Sequence, residues 1–187
     1  MSKREQILTA ALKLFNENGF ERTPTSKISL EAGVATGTLF HHFNTKEDLI
    51  DALYWESKSD VGLTLKQGLA SAREMRDQFR IVWFNAITWV LENPERHNFL
   101  MQFRESPYIS GAIRARADET FRFMSDIVSR GQDEGKIRML PIDLLMALNS
   151  GNLIAAANYF LSHQDEFNNP EISEEAFNSF WAGMSIC

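Results

Sequence analysis

Ile7, Leu8, Ala11, Leu14 and Phe15 recur at intervals of three and four, the spacing that gathers side chains on one face of a helix. Ahead of them, Ser2-Lys3-Arg4-Glu5 has the form of a capping box, and Gly19 suits a helix stop. The pattern predicts a helix over 3–18. Thr23-Pro24 predicts an N-cap followed by proline at the first helical position, opening a short helix over 24–32 that Gly33 ends. A third short helix is expected over 37–43, with Leu39 and Phe43 facing inward together. Thr45-Lys46-Glu47-Asp48 opens a fourth, which carries Leu49, Ile50, Leu53 and Tyr54 into the mid-60s. After a break at 68–71, Met75, Phe79, Val82, Trp83, Ala86 and Val90 form the stripe of a helix over 72–92. Asn93-Pro94 starts another, and Ser106-Pro107 marks a boundary. A long helix is expected over 111–134, ended by Gly135 despite an internal Gly131 that costs roughly 1 kcal/mol relative to alanine. Pro141 and Ser173 open two last helices, 141–163 and 174–185. With no alternating strand pattern anywhere, the expected fold is all-α with about nine helices.

Composition narrows the function classes. A chain of 187 residues, 44% hydrophobic and 24% charged, has the make-up of a folded globular protein. Nineteen basic against 25 acidic residues leave a net charge of −6, so no bulk positive field attracts nucleic acid, and any DNA contact has to be local. One cysteine, Cys187, excludes an intramolecular disulfide and a cysteine zinc cluster, and the first residues lack the apolar run of a signal peptide. The expected location is the cytoplasm. Residues 144–161 are apolar apart from Asn149, Ser150, Asn152 and Asn158, and three amides within a lone span are costly enough that no membrane partner is expected. His41 and His42 are adjacent and point about 100° apart on a helix, without a metal-ligating partner one turn on. No nucleophile and base, phosphate loop or metal pair occurs at a recognisable spacing, so no catalytic residue, metal or cofactor is expected.

Residues 24–43 read helix, glycine-centred turn, helix: a helix-turn-helix. Its second helix begins with the short residues Thr36, Gly37 and Thr38, which permit close approach to a DNA major groove. The string Gly19-Phe20, Thr23, Ile28, Ala32-Gly33-Val34, Gly37-Thr38-Leu39-Phe40-His41-His42-Phe43 and Lys46-Glu47-Asp48-Leu49 resembles the DNA-binding domain of the tetracycline-repressor (TetR) family of bacterial regulators. The resemblance covers about residues 3–50; beyond it the chain matches in being helical and of the right length. It implies a helix-turn-helix DNA-binding domain over 1–47 and a helical effector-binding and dimerisation domain over 48–187. Carried over by position, Thr25, Thr36, Phe40, His41 and Lys46 meet backbone phosphates, while Thr38, with Gly37 beside it, faces base edges. Phe40 stands where tyrosine is common and lacks the hydroxyl. Lys27 is a further backbone contact or a solvated surface lysine. Lys3, Arg4, Lys13, Arg22, Lys27 and Lys46 are balanced by Glu5, Glu17, Glu21, Glu31, Glu47 and Asp48, so the first 50 residues are neutral and a shallow salt dependence of DNA binding is expected.

The remainder is rich in large rings and thioethers. Most of these belong to a core, but the resemblance implies a pocket between the middle helices, and Trp83, Phe103, Phe121 and Asn152 are candidates to line it for a small apolar or aromatic effector. Gly151 and Ala155, with Asn158, form a small-residue seam, and Phe177, Phe180, Trp181 and Met184 form a stripe. That stripe packs either on its own core or across a two-fold axis, and a homodimer built on the last two long helices is what the resemblance implies. The expected function is a one-component transcriptional regulator, a repressor, that binds a double-stranded operator and leaves it when a small molecule binds. The rival reading is a small-molecule carrier or interaction protein without specific DNA binding.

Overall fold

A computed structural model describes residues 1–186; Cys187, on which the disulfide argument turns, lies outside the described residues. Ten α-helices and one 3-10 turn occur among the described residues, with no strand. They are α1 (Lys3–Asn18), α2 (Thr25–Glu31), α3 (Thr36–His42), α4 (Lys46–Leu65), α5 (Met75–Glu92), α6 (Pro94–Gln102), α7 (Gly111–Asp133), α8 (Ile142–Ser162), α9 (Gln164–Phe167) and α10 (Pro170–Met184). The tenth helix beyond the expected nine is the single turn α9. The last helix begins earlier than Ser173, because the Asn169 side chain accepts from the Glu171 N–H and Pro170 occupies its first turn.

Local chemistry accounts for most boundaries. Ser2 and Glu5 form the reciprocal capping box, at 3.2 and 2.7 Å, and Thr45 and Asp48 make an equivalent pair ahead of α4 at 2.9 and 3.1 Å. Thr23 does something other than cap α2. It is fully buried, and its hydroxyl donates back to the carbonyls of Leu14 and Gly19, which folds the α1–α2 turn onto the end of α1. Pro24 takes the capping position without a side-chain bond.

The chain forms two compact units, residues 1–59 with 94–118 and residues 60–93 with 119–187. In the first, α1 packs against α2, α3 and α6 around Ile7, Leu14, Phe15, Ile28, Leu39 and Phe99. In the second, α5 packs against α8 and α10. Trp83 sits there with its ring centroid 5.0 Å from Phe84, 6.3 Å from Phe160 and 6.1 Å from Phe177. Arg80 pairs with Glu174, a residue 94 positions away.

The internal Gly131 also finds its reason in the second unit. A Cβ added there collides with Ile137 Cγ1 and meets Met75 Sδ at 2.6 Å, so α7 gives up helix propensity to let its neighbours touch its backbone. Gly131→Ala is therefore expected to lower stability by about 1–2 kcal/mol, the overpacking cost less the gain in helix propensity. A thermal melt in which Gly131→Ala matches or exceeds the parent would contradict this.

Candidate DNA-binding and dimerisation surfaces

The helix-turn-helix is held from within. Ile28 and Leu39 are fully buried, Phe43 is nearly so, and Gly33 makes the turn with a φ of +64°. The Val34 N–H bonds to the Ser29 carbonyl at 3.0 Å, and the Ser29 and Thr36 hydroxyls lie 3.0 Å apart, joining the end of α2 to the start of α3. Burying Leu39 and Phe43 leaves the opposite side of α3 outward. Thr36, Gly37, Phe40 and His41 are exposed, Phe40 to 43%, and Thr38 is half-buried at the edge of that surface. On α2, Lys27 is exposed and Thr25 half-buried. Seven of the eight sequence-predicted DNA contacts thus lie on two adjacent short helices.

Lys46 is the eighth and is placed differently. Its ammonium donates to the Phe20 carbonyl and lies 4.1 Å from the centroid of the Phe20 ring. Burial holds its pKa below the ordinary lysine value. The family resemblance implies that Lys46 is a phosphate contact, but it does not show that the neighbouring turn offers a carbonyl and a ring to the cation. Leu30, 81% exposed at the end of α2, is an apolar residue on this surface that sequence reasoning passed over.

The four candidate effector contacts divide between the two units. Phe103 belongs to the first unit, where it packs on Phe99 and Phe15. Trp83 is 1% exposed in the aromatic core of the second unit, and Asn152 is exposed on α8. Phe121 alone is a partly buried side chain beside other apolar ones, against the cluster of Leu65, Val82 and Ala86 with Val61, Met124 and Leu153. Composition does not separate a core ring from a pocket ring, and here two of the three rings are core. The Trp83 indole N–H is buried and has no hydrogen-bond partner among the described residues. Because an unsatisfied buried donor costs about 1–3 kcal/mol, Trp83→Phe is expected to stay within about 1 kcal/mol of the parent in a denaturant titration. A loss of the size that full truncation of the ring produces would show that the N–H is satisfied in solution.

The terminal helices decide between the two readings left open for their stripe. Phe177, Phe180 and Met184 are buried within their own unit, and Trp181 is half-buried beside Phe79 at 5.6 Å. That side of α10 is core and is unavailable to a partner, a correction to the dimer seam expected there. The other side of α10 carries Ile172, Ala176, Ser179 and Gly183 at intervals of four, three and four, all at least partly exposed. Such a small-residue stripe is the same signal that marks Gly151 and Ala155 on α8. Both of those are exposed, as are Asn158 and, at four-residue spacing ahead of them, Leu140, Leu144 and Leu148, the last to 58%. Between the two helices runs an open groove of about 620 Å³ lined by Ala156, Tyr159, Phe160, Ile172 and Ala176. By length and composition α8 is apolar enough to cross a membrane, and most of its surface is uncovered in the single chain.

Comparison with known proteins agrees with this architecture. Residues 7–53 match the profile of bacterial regulatory proteins of the tetR family, and residues 54–186 match that of a tetracyclin repressor-like C-terminal domain. A solved structure from Shewanella sp. PV-4, assigned to the tetR family of transcription regulators, superposes with a TM-score of 0.91 at 32% identity, covering 100% of both chains. The HTH-type transcriptional repressor AcnR of Corynebacterium diphtheriae is 29% identical over 152 residues, 76% of this chain and 73% of AcnR. The transcriptional regulator FadR of Bacillus subtilis, solved in complex with stearoyl-CoA, shares the fold with a TM-score of 0.72 at 20% identity over 96% of this chain and 98% of FadR.

Proposed function

Since the chain belongs to the TetR family of ligand-responsive, DNA-binding transcriptional regulators, we propose that it is a cytoplasmic homodimeric repressor whose α3 helices read a pseudo-palindromic operator. The observation that carries the reading is the outward surface of α3, where Thr36, Gly37, Phe40 and His41 stand exposed on a helix anchored by buried Leu39 and Phe43. Short side chains at 36–38 let the helix enter a major groove, where Thr38 faces base edges. Thr25, Lys27, Thr36, Phe40 and His41 contact the backbone on either side. The functional division falls near residue 47, with the operator-reading helices before it and effector binding and dimerisation after it.

In the dimer, the exposed stripe of α8 from Leu144 to Asn158 meets its symmetry mate, flanked by the Ile172-to-Gly183 side of α10. A second copy is the occupant that fits a surface with small residues at its centre and leucines at one end. The two recognition helices then stand about 34–36 Å apart, one turn of duplex. The effector is small and apolar or aromatic, with Phe121, Val61, Met124 and Leu153 among its contacts; the FadR structure with stearoyl-CoA, a ligand with a long apolar chain, supports this class. Binding favours a state with wider helix spacing, a coupling typically of about 1–3 kcal/mol.

Selection of duplexes from a random pool, followed by anisotropy titration at several salt concentrations, tests the reading. A preferred, two-fold related sequence is expected, with fewer than about ten ions released per half-site because the first 50 residues are neutral. A sample that selects no duplex over any other would overturn it, leaving a carrier or interaction protein.

A further inference from the structure

Two side-chain N–H donors of the second unit are enclosed without an acceptor among the described residues: the Trp83 indole of α5 and the Asn149 amide of α8. Native folds keep few such groups, because a buried donor that gives up its water and gains no partner costs stability. The two differ in what surrounds them. Trp83 is closed in by the rings of Phe84, Phe160 and Phe177, the last two of them buried, so its N–H lies in packed core. Asn149 stands instead beside side chains that are only partly covered.

Helical spacing places Asn149 on the inward side of α8. Leu145 and Ala157 are buried, Leu153 is partly buried, and with Asn149 they recur every four residues along one face. The exposed Leu144, Leu148, Gly151, Ala155 and Asn158 occupy the opposite side, the one assigned above to a second copy. The Asn149 amide nitrogen is already enclosed in the single chain, so a copy docked on that outer side does not supply its acceptor. One turn along, Leu153 packs with Phe121, Met124 and Val61 against the cluster of Leu65, Val82 and Ala86. Leu153, Phe121, Met124 and Val61 are the contacts given to the effector above. Asn152, the amide that sequence reasoning put forward for this role, is exposed.

We propose that the Asn149 amide is the polar contact of the effector site, and that the effector is an apolar molecule bearing a neutral carbonyl oxygen that accepts from the Asn149 Nδ2–H. The proposal rests on the effector reading above and adds the group that orients the molecule, since pockets of this kind are apolar with a few placed polar groups. A neutral carbonyl fits for two reasons. The enclosed group is a donor, so the ligand has to bring an acceptor. The neighbours Phe121, Val61, Met124 and Leu153 carry no charge, and a carboxylate desolvated among them would have no cation to pair with. A bond to this donor is not made in exchange for one to water, so it contributes to affinity in full.

Asn149→Leu replaces the amide with an apolar side chain of similar size, and two ligand pairs serve as probes: acetophenone with cumene, and cyclohexyl methyl ketone with isopropylcyclohexane. Members of a pair are alike in shape and differ in the carbonyl. Melting-shift titrations of the full chain give their affinities. At least one ketone is expected to bind the parent and to bind Asn149→Leu about tenfold more weakly, while its hydrocarbon partner binds both chains within about twofold. Asn149→Ala, which leaves room instead of adding an apolar end, is expected to show the same selective loss, and it decides the matter if Asn149→Leu does not fold. The same ketone is expected to weaken the parent's binding to its selected duplex by about tenfold, and to leave that of Asn149→Leu within about twofold at equal concentration. A ketone that binds parent and variant alike would overturn the proposal. So would equal losses for ketone and hydrocarbon, no melting shift with either ketone, or ketone binding that leaves the duplex in place. Failure of the parent to select any duplex would instead remove the regulator reading, and the ketone comparison, which uses no DNA, would still decide what Asn149 binds.

Discussion

Gly37→Glu is expected to abolish specific operator binding, with a loss of about a thousandfold, while the protein folds as the parent does. Nothing lies within 4 Å of a Cβ built at Gly37, and its backbone is ordinary helix, so the side chain is accommodated without strain. A carboxylate in the first turn of α3 even favours the helix, by its position at the positive end of the dipole. The same carboxylate, exposed beside Thr38 where the helix has to enter the groove, brings a negative charge against phosphates and base-edge acceptors. Like charges juxtaposed at an interface cost several kcal/mol, and about 4 kcal/mol corresponds to a thousandfold. Circular dichroism and the melting midpoint should match the parent, while anisotropy with the selected duplex shows no specific complex. Specific binding retained by Gly37→Glu would mean that this side of α3 does not face DNA.

Leu148→Asp tests the other surface, and it is expected to give a monomer of about 21 kDa and to weaken operator binding by about a thousandfold. Leu148 is 58% exposed in the single chain, so its replacement removes little from the core of its own unit. In the proposed dimer it lies in the α8 stripe with Leu144, Gly151 and Ala155, where two copies bring two carboxylates into one apolar contact. An unpaired buried charge there is prohibitive. Losing the dimer costs the second half-site and the effective concentration that a fixed partner supplies, which is why a change on α8 is read at the operator. Sedimentation at micromolar concentration is the direct measurement. A Leu148→Asp chain that sediments as a dimeric parent does would place the interface elsewhere, and a parent that is already monomeric would end the dimer proposal.

The helices that matter for DNA were legible in the sequence because their determinants lie within a turn or two of one another. The capping box of Ser2 and Glu5 and the pair of Thr45 and Asp48 link residues three apart, and Gly33 needs only its own backbone conformation. The inward pair Leu39 and Phe43, read from a spacing of four, predicted which side of α3 would be free. Thr23 shows where this stops: its sequence is that of an N-cap, yet its hydroxyl bonds Leu14, nine residues back, a contact that exists only once the turn has closed. The effector candidates could not be told apart in the sequence for a related reason. Trp83, Phe103 and Phe121 are alike in composition, and their separation into two core rings and one partly buried ring comes from which unit each packs in.

Sequence by itself determined the all-α class, the start and stop of most helices, the helix-turn-helix and the residues on its outer surface, since each depends on spacing within a few positions. Tertiary structure alone decided that the aromatic stripe of α10 faces its own core, that Gly131 yields space to Met75 and Ile137, and that Lys46 rests on Phe20 under the reach of Tyr108. The physical reason is that burial is settled between side chains brought together from distant parts of the chain, as Phe79 meets Trp181 and Arg80 meets Glu174, and an amphipathic stripe states that a side must be covered without stating by what.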